Sequence, residues 1–198
     1  MNCCLLQIQQ RIYDGNESAL AELYQLFSKK LFHFSKAITK SVEESEEIVE
    51  DVFVKIWCNR FNILQIENLS VYLYVAVKNK SLNVVSRNTK EIVKHSFENL
   101  EVELCELTPD PYQLLVTGEV MKKMQEAVES LPPRCKMIFK LVRENGLKYK
   151  EVAEILNISV NTIDVQMAIA TKKICQALEN SQHTAGLLSR FSLSKKRN

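Results

Sequence analysis

Glycine and proline are both scarce, with four of each in 198 residues. Tight hairpins need residues that tolerate left-handed backbone or preset a turn, so the chain has little material for a sheet-rich fold. A dominant charge is also missing, since 26 Lys and Arg stand against 24 Asp and Glu and leave a formal net charge of +2. No whole-molecule positive field draws such a chain onto nucleic acid, so any grip on DNA must be local or lent by a partner. No apolar run has the length of a membrane span, and the opening MNCCLLQIQQRIYDG has neither a basic n-region nor the apolar stretch of a secretory signal. The six cysteines, Cys3, Cys4, Cys58, Cys105, Cys135 and Cys175, show no CxxC spacing, and His33, His95 and His183 lie far apart in sequence. That pattern argues against both a zinc site and a disulfide framework. The expectation is a cytoplasmic protein with reduced thiols, no metal, no cofactor and no direct membrane insertion. Nor is there a glycine-rich phosphate loop or a nucleophile with a base at motif spacing, so the chain does not read as an enzyme.

What is present is helical periodicity. After CCLLQIQQRIY, the residues Asp14, Gly15 and Asn16 are a strong turn signal. In ESALAELYQLFSKKLFHFSKAI, Leu20, Leu23, Tyr24, Phe27, Leu31, Phe34 and Ile38 recur at three- and four-residue steps, which places them on one core-facing stripe. Ser41 then precedes Glu43, Glu44, Glu46 and Glu47, an acidic first turn suited to the positive end of a helix dipole, with the helix running to about Arg60. RFNILQIENLS breaks it. SVYLYVAVKNKSLNVVSRN is rich in β-branched residues but too long for an ordinary strand, and is read as helix. Phe97 to Pro111 carries five acids, no base and two prolines, the composition of a linker. Beyond it the proline pair Pro132 and Pro133 starts a further helix, and Glu144, Asn145 and Gly146 stop it. The fold class expected is all-α: two small helical domains joined by a flexible acidic linker, with a serine-rich, basic tail that frays.

Leu147 to Ile174 has the pattern of a helix-turn-helix: LKYKEVAEIL, the connection NIS, then VNTIDVQMAIATKKI. Ala153 is small where a second helix must cross, while Val152, Ile155, Leu156 and Ile158 supply a core. Asn157 suits a left-handed turn position and Ser159 an N-cap. Ile163, Met167, Ala170 and Ile174 then fall on one buried stripe, leaving Asn161, Thr162, Val165, Gln166 and Ile169 outward. Amides can hydrogen-bond adenine edges in the major groove, and Thr and aliphatic groups can touch thymine methyls. Two ordinary packed helices would share much of this pattern. The second helix is nearly uncharged, with Asp164 and no cation before Lys172.

With EEIVEDVFVKIWCNR and YLYVAVKNKSLN ahead of LPPRCKMIFKLVRENGLKYKEVAEILNISVNTIDVQM, the chain resembles a bacterial RNA polymerase sigma factor of the extracytoplasmic-function type over roughly residues 19–178. The resemblance implies residues 1–92 as sigma region 2, which binds core polymerase and reads and melts the minus-10 element. It implies 93–113 as linker, 114–180 as region 4 with the helix-turn-helix for the minus-35 element, and 181–198 as basic tail. Its partners would be core RNA polymerase (beta-prime clamp and beta flap), promoter DNA, and an anti-sigma factor, often membrane-bound in this family.

By the same resemblance Glu47, Asp51, Phe53 and Trp57 dock onto the clamp coiled coil of the beta-prime subunit, although Phe53 fits a core position equally well. Tyr72, Lys78, Asn79, Lys80 and Arg87 match the minus-10 reader, where an amide or aromatic beside cations can hold an unstacked base, and where Tyr72 could instead be core. Ser159, Asn161, Thr162, Val165, Gln166, Lys172 and Lys173 match the minus-35 reader. The chain departs from the family's pattern at Glu50, often glutamine, and at Asp164, Ala168, Ile169 and Thr171, often polar or basic. Lys148 replaces a common serine at a helix start, a capping loss of about 1 kcal/mol. A stand-alone regulator that binds operator DNA as a dimer is the alternative.

Overall fold

A computed structural model describes residues 2–89 and 118–179, and every regular element among them is a helix. Helix α1 (Asn2–Tyr13) ends at the expected turn, where Gly15 takes φ +84°. Helix α2 (Glu17–Thr39) starts with Asn16 accepting from the Ala19 amide at 3.0 Å. Such a cap satisfies one of the amides that a helix start leaves unpaired. Ser41 does the same for α3 (Val42–Cys58), accepting from Glu44 N at 3.3 Å. The break after α3 contains a 3₁₀ turn, Arg60–Gln65, rather than open loop. Its carbonyls need partners, and the buried side chain of Gln9 donates to the oxygens of Ile63 and Ile66, both at 2.9 Å, which ties α1 to the turn.

Helix α4 (Leu69–Thr89) confirms the helical reading of the β-branched segment. Leu69, Val71, Leu73, Tyr74, Val77 and Leu82 are all buried, so packing against α2 and α3 outweighs the modest helix propensity of its valines. Where α2 and α4 cross, Ser35 and Ser81 share a buried hydroxyl hydrogen bond of 2.9 Å. The α2 stripe is core at Leu23, Phe27, Leu31, Phe34 and Ile38, but Tyr24 departs from the expectation. It is 40% exposed, its ring standing 4.9 Å edge-on from that of Phe53.

The second unit comprises α5 (Gly118–Glu129), α6 (Pro133–Arg143), α7 (Tyr149–Leu156) and α8 (Val160–Glu179). Pro133 occupies the first helical position, where its missing N–H costs nothing, and Gly146 takes φ +73° just past α6. Helix α8 lies against α5, α6 and α7 through buried Ile163, Met167, Ala170, Ile174 and Leu178. The expected linker (93–113) and tail (181–198) lie outside the described residues.

The two units meet where α4 packs on α7. There Asn68 Nδ2 donates to Glu151 Oε1 at 2.8 Å, while Asn68 Oδ1 accepts from Val71 N at 3.2 Å and Glu151 Oε2 accepts from Lys148 N at 2.8 Å. Each side chain therefore serves the start of its own helix and the contact between units at once. Glu151 thereby supplies half of a capping box at Lys148. The other half is missing, because an ammonium has no lone pair with which to accept an amide.

Candidate nucleic-acid and docking surfaces

The helix-turn-helix is built as its local chemistry dictates. Asn157 takes φ 54°, ψ 49°, the left-handed position that closes α7. Ser159 Oγ accepts from Thr162 N at 3.0 Å and caps α8. Opposite the buried stripe of α8, the side chains of Asn161, Val165, Ile169, Lys172 and Lys173 are exposed and those of Thr162 and Gln166 half-buried. The expected residues Asn161, Thr162, Val165, Gln166, Lys172 and Lys173 thus share one side of one helix, and Ser159 caps its start. Buried Cys135 donates its thiol to the Gln166 carbonyl at 3.2 Å and fastens α6 to the middle of α8. Asp164 sits at the edge of that side, close enough to Tyr149 of α7 to help hold its phenol above the ordinary range. Burial is the main cause of that rise, and Arg143 opposes it.

On α4 the structure sorts the expected residues. Tyr72 and Asn79, seven positions apart, point the same way and are exposed, and Lys80 and Arg87 lie about 80° and about 60° round the helix from Tyr72, on the side away from Lys78. Lys78 does not join them. It lies about 120° round from Tyr72, half-buried, where desolvation lowers its pKa.

On α3, Glu47 and Asp51 share an exposed face with Glu43, Glu50 and Val54. Phe53 is a correction to the expected docking set: at 4% exposure it belongs to the core, because two residues on from Asp51 a helical side chain points to nearly the opposite side. Trp57 is half-buried and faces the 3₁₀ turn, with the Arg60 guanidinium 5.0 Å from its ring centre. Val54, 60% exposed, is the apolar member of the face that the sequence reading passed over.

The reading also passed over Arg60 and Phe61. The Arg60 guanidinium lies between the rings of Trp57 and Phe61, 4.6 Å from the latter's centre, and donates to the Trp57 carbonyl at 3.3 Å. Phe61 is 62% exposed, with Tyr13 edge-on at 6.1 Å. An aromatic ring left open to solvent and backed by a fixed cation is the anatomy of a stacking platform for a base. The signal available in sequence was the adjacent Arg60 and Phe61 in a break between helices.

Across the described residues no cluster of three or more His, Cys, Asp or Glu side chains could hold a metal ion, and no helix is long and apolar enough to cross a membrane.

The family model described as Sigma-70, region 4 matches residues 121–174. Over 165 residues the chain is 20% identical to the ECF RNA polymerase sigma factor SigW of Bacillus subtilis, covering 80% of this chain and 88% of that protein. Over 155 residues it is 20% identical to the ECF RNA polymerase sigma factor SigE of Mycolicibacterium smegmatis, covering 75% of this chain and 58% of the other. Among solved structures, the fold resembles the sigma factor RpoE in complex with the anti-sigma factor NepR from Bartonella quintana, with a TM-score of 0.54, 18% identity, and 80% and 96% of the two chains covered. It also resembles CnrH in complex with the cytosolic domain of CnrY, with a TM-score of 0.52, 14% identity, and 89% and 98% covered.

Proposed function

We infer that this chain, a member of the extracytoplasmic-function sigma factors, binds core RNA polymerase and directs sequence-specific promoter recognition and transcription initiation. The observation that carries the reading is the outward side of α8, capped and unobstructed, within the residues matched to Sigma-70, region 4. That side meets the minus-35 element: Asn161 and Gln166 hydrogen-bond base edges, Val165 and Ile169 touch thymine methyls, and Lys172 and Lys173 hold phosphate.

The first unit does the other two tasks. Glu47 and Asp51, with Val54 one turn beyond Asp51 on the same face, offer carboxylates and an apolar contact to a basic, partly apolar surface of the polymerase. Tyr72 and Asn79 on α4 receive minus-10 bases as the duplex opens, and Lys80 and Arg87 hold the backbone. Phe61, on the 3₁₀ turn that precedes α4, offers a separate exposed ring on which an unstacked base can rest. An anti-sigma factor is the natural antagonist, as the complexes of RpoE with NepR and CnrH with CnrY suggest by similarity of fold.

Run-off transcription with purified core polymerase and a genomic promoter library tests this directly. Specific transcripts that fade with Asp51→Arg or Asn79→Ala are expected. Tight binding to duplex DNA without polymerase, and no transcripts, would instead indicate a stand-alone regulator.

A further inference from the structure

Asp51 of α3 and Lys80 of α4 are paired, Lys80 Nζ standing 2.6 Å from Asp51 Oδ2. One belongs to the surface assigned to polymerase and the other to the strip assigned to DNA, and they are 29 positions apart in sequence. The Lys80 side chain is 34% exposed and that of Asp51 56% exposed, so both remain open to outside partners. Each partner needs the group that the other residue is holding. A polymerase cation must compete with Lys80 for the carboxylate, and a DNA phosphate must compete with Asp51 for the ammonium.

We propose that this pair couples the two docking events: in the free protein Asp51 masks Lys80, and capture of Asp51 by core polymerase releases Lys80 to the promoter backbone. The inference rests on the reading of α3 and α4 given above. Its physical content is linkage. If the pair must open for either partner to bind, removing one residue favours the partner of the other, and the effect is reciprocal. An exposed pair contributes modestly, so the expected change in each affinity is about threefold. The design keeps a free factor from spending its cation on random DNA, and restores that cation once the polymerase is in place.

The sign of one measurement tests this. Lys80→Gln in the full chain should bind purified core polymerase about threefold more tightly than the unmodified protein, because Asp51 no longer has to be released. If Lys80 merely positioned Asp51 for docking, the same change would weaken binding. Loss of a positive charge near an acidic surface could strengthen docking generically, so Lys55→Gln, at an exposed cation on α3 itself, is the control. Lys80→Gln must exceed it. Asp51→Asn should weaken polymerase binding, and adding Lys80→Gln to it should then change nothing further. If Asp51→Asn leaves polymerase binding intact, the docking reading of α3 has failed. If it weakens binding but Lys80→Gln is no tighter than Lys55→Gln, the docking reading stands and the coupling is refuted.

The DNA half has its own readout, the salt dependence of binding between the free chain and a mixed-sequence single-stranded oligodeoxynucleotide. Asp51→Asn should raise the affinity about threefold and steepen the logarithmic salt slope by about 0.7, the value of one added phosphate contact on a single strand. An unchanged slope would overturn the masking of Lys80.

Discussion

Replacing Glu129 with Gln should destabilise the second unit more than any other single change on its surface. Glu129 Oε2 receives Lys136 Nζ at 2.9 Å and Oε1 receives Lys140 Nζ at 2.9 Å. The two lysine side chains are only 11% and 12% exposed, so without the carboxylate two poorly solvated ammonium groups lose their hydrogen-bonded counter-charge, although the Glu144 carboxylate still acts on Lys140. Breaking a buried ion pair from one side costs about 3–5 kcal/mol, and since the Glu129 side chain is 31% exposed we expect less than that, about 2–3 kcal/mol. The pH dependence is a second signature. Burial pushes the Glu129 carboxyl up, but hydrogen bonds and charges from Lys136 and Lys140 outweigh it and leave the pKa below the ordinary 4.5. The unfolded chain therefore binds this proton more readily, and the stabilisation, complete above pH 4.5, is lost as pH falls through the lower folded value. Chemical denaturation of both proteins from neutral to acid pH should show a gap that is full at pH 7 and closes on acidification. Far-UV circular dichroism reports both units, whereas the fluorescence of Trp57, the only tryptophan, reports the first. A two-unit chain need not unfold in one step, so both probes are required. A gap below about 1 kcal/mol at neutral pH, or one that persists undiminished into acid, would refute the argument. A triple variant with Gln at 129 and Met at 136 and 140 should recover much of the loss, because the uncompensated charges are gone.

The remaining predictions concern caps, turns and readout. Ser159→Ala removes the acceptor for Thr162 N and should cost about 1 kcal/mol in stability, with weaker minus-35 binding, measured by thermal melting and by DNA binding of the holoenzyme. Lys40→Gly should stabilise by about 1 kcal/mol in denaturant titration, because Lys40 caps α2 at φ 60°, a conformation that penalises a Cβ. Burial, together with Lys29, Lys140 and Lys36, lowers the pKa of His33, so the unfolded chain takes up its proton first. Stability should then fall as pH drops below 6.5, and His33→Phe should flatten that slope. In the holoenzyme, Asn161→Ala should cost about 1–3 kcal/mol against one base pair and leave the salt slope unchanged, whereas Lys172→Gln should weaken all sequences alike and reduce the slope by about 0.9.

Local chemistry made some of this legible in the sequence and left the rest hidden. Gly15, Gly146, Asn157 and Ser159 sit where left-handed backbone or a cap is needed, and each residue type announces that conformation by itself. Lys40 holds the same left-handed backbone without announcing it, since lysine is no marker of that region. The orientation of Phe53 and Lys78 was available in principle. A helical residue two positions from Asp51 points to nearly the opposite side, and one six positions from Tyr72 lies about 120° round, so periodicity separates Phe53 and Lys78 from those faces even when a resemblance groups them. Periodicity gives an angle, however, and not the neighbour found at that angle. Tyr24 lies on the hydrophobic stripe of α2 yet stays partly open, at the edge of a shallow groove with Leu20 and Phe53. The Asp51–Lys80 pair and the Arg60 stack depend on how α3, the 3₁₀ turn and α4 are folded together, which no spacing in the sequence encodes.

The nearly uncharged recognition helix follows from the same division of labour. A reader that binds alone must gain most of its affinity from phosphates, and it then binds every sequence nearly as well. Within a holoenzyme the polymerase supplies that general grip, and a weak reader at each end of a fixed span gains effective concentration from the other. Under that condition cations on α8 would add binding without adding discrimination. The outward side of α8 accordingly carries Asn161, Val165, Gln166 and Ile169 in its first turns and leaves Lys172 and Lys173 to its later ones. Asp164 does not contradict this, because it stands at the edge of that side, where its charge is felt by Tyr149 of the preceding helix. Asp164→Asn should therefore alter DNA affinity far less than a change at Asn161, and it should lower the pKa of Tyr149, which ultraviolet titration of the phenol can follow. A large gain in minus-35 affinity with no movement of the Tyr149 titration would show instead that the carboxylate faces the groove and repels phosphate.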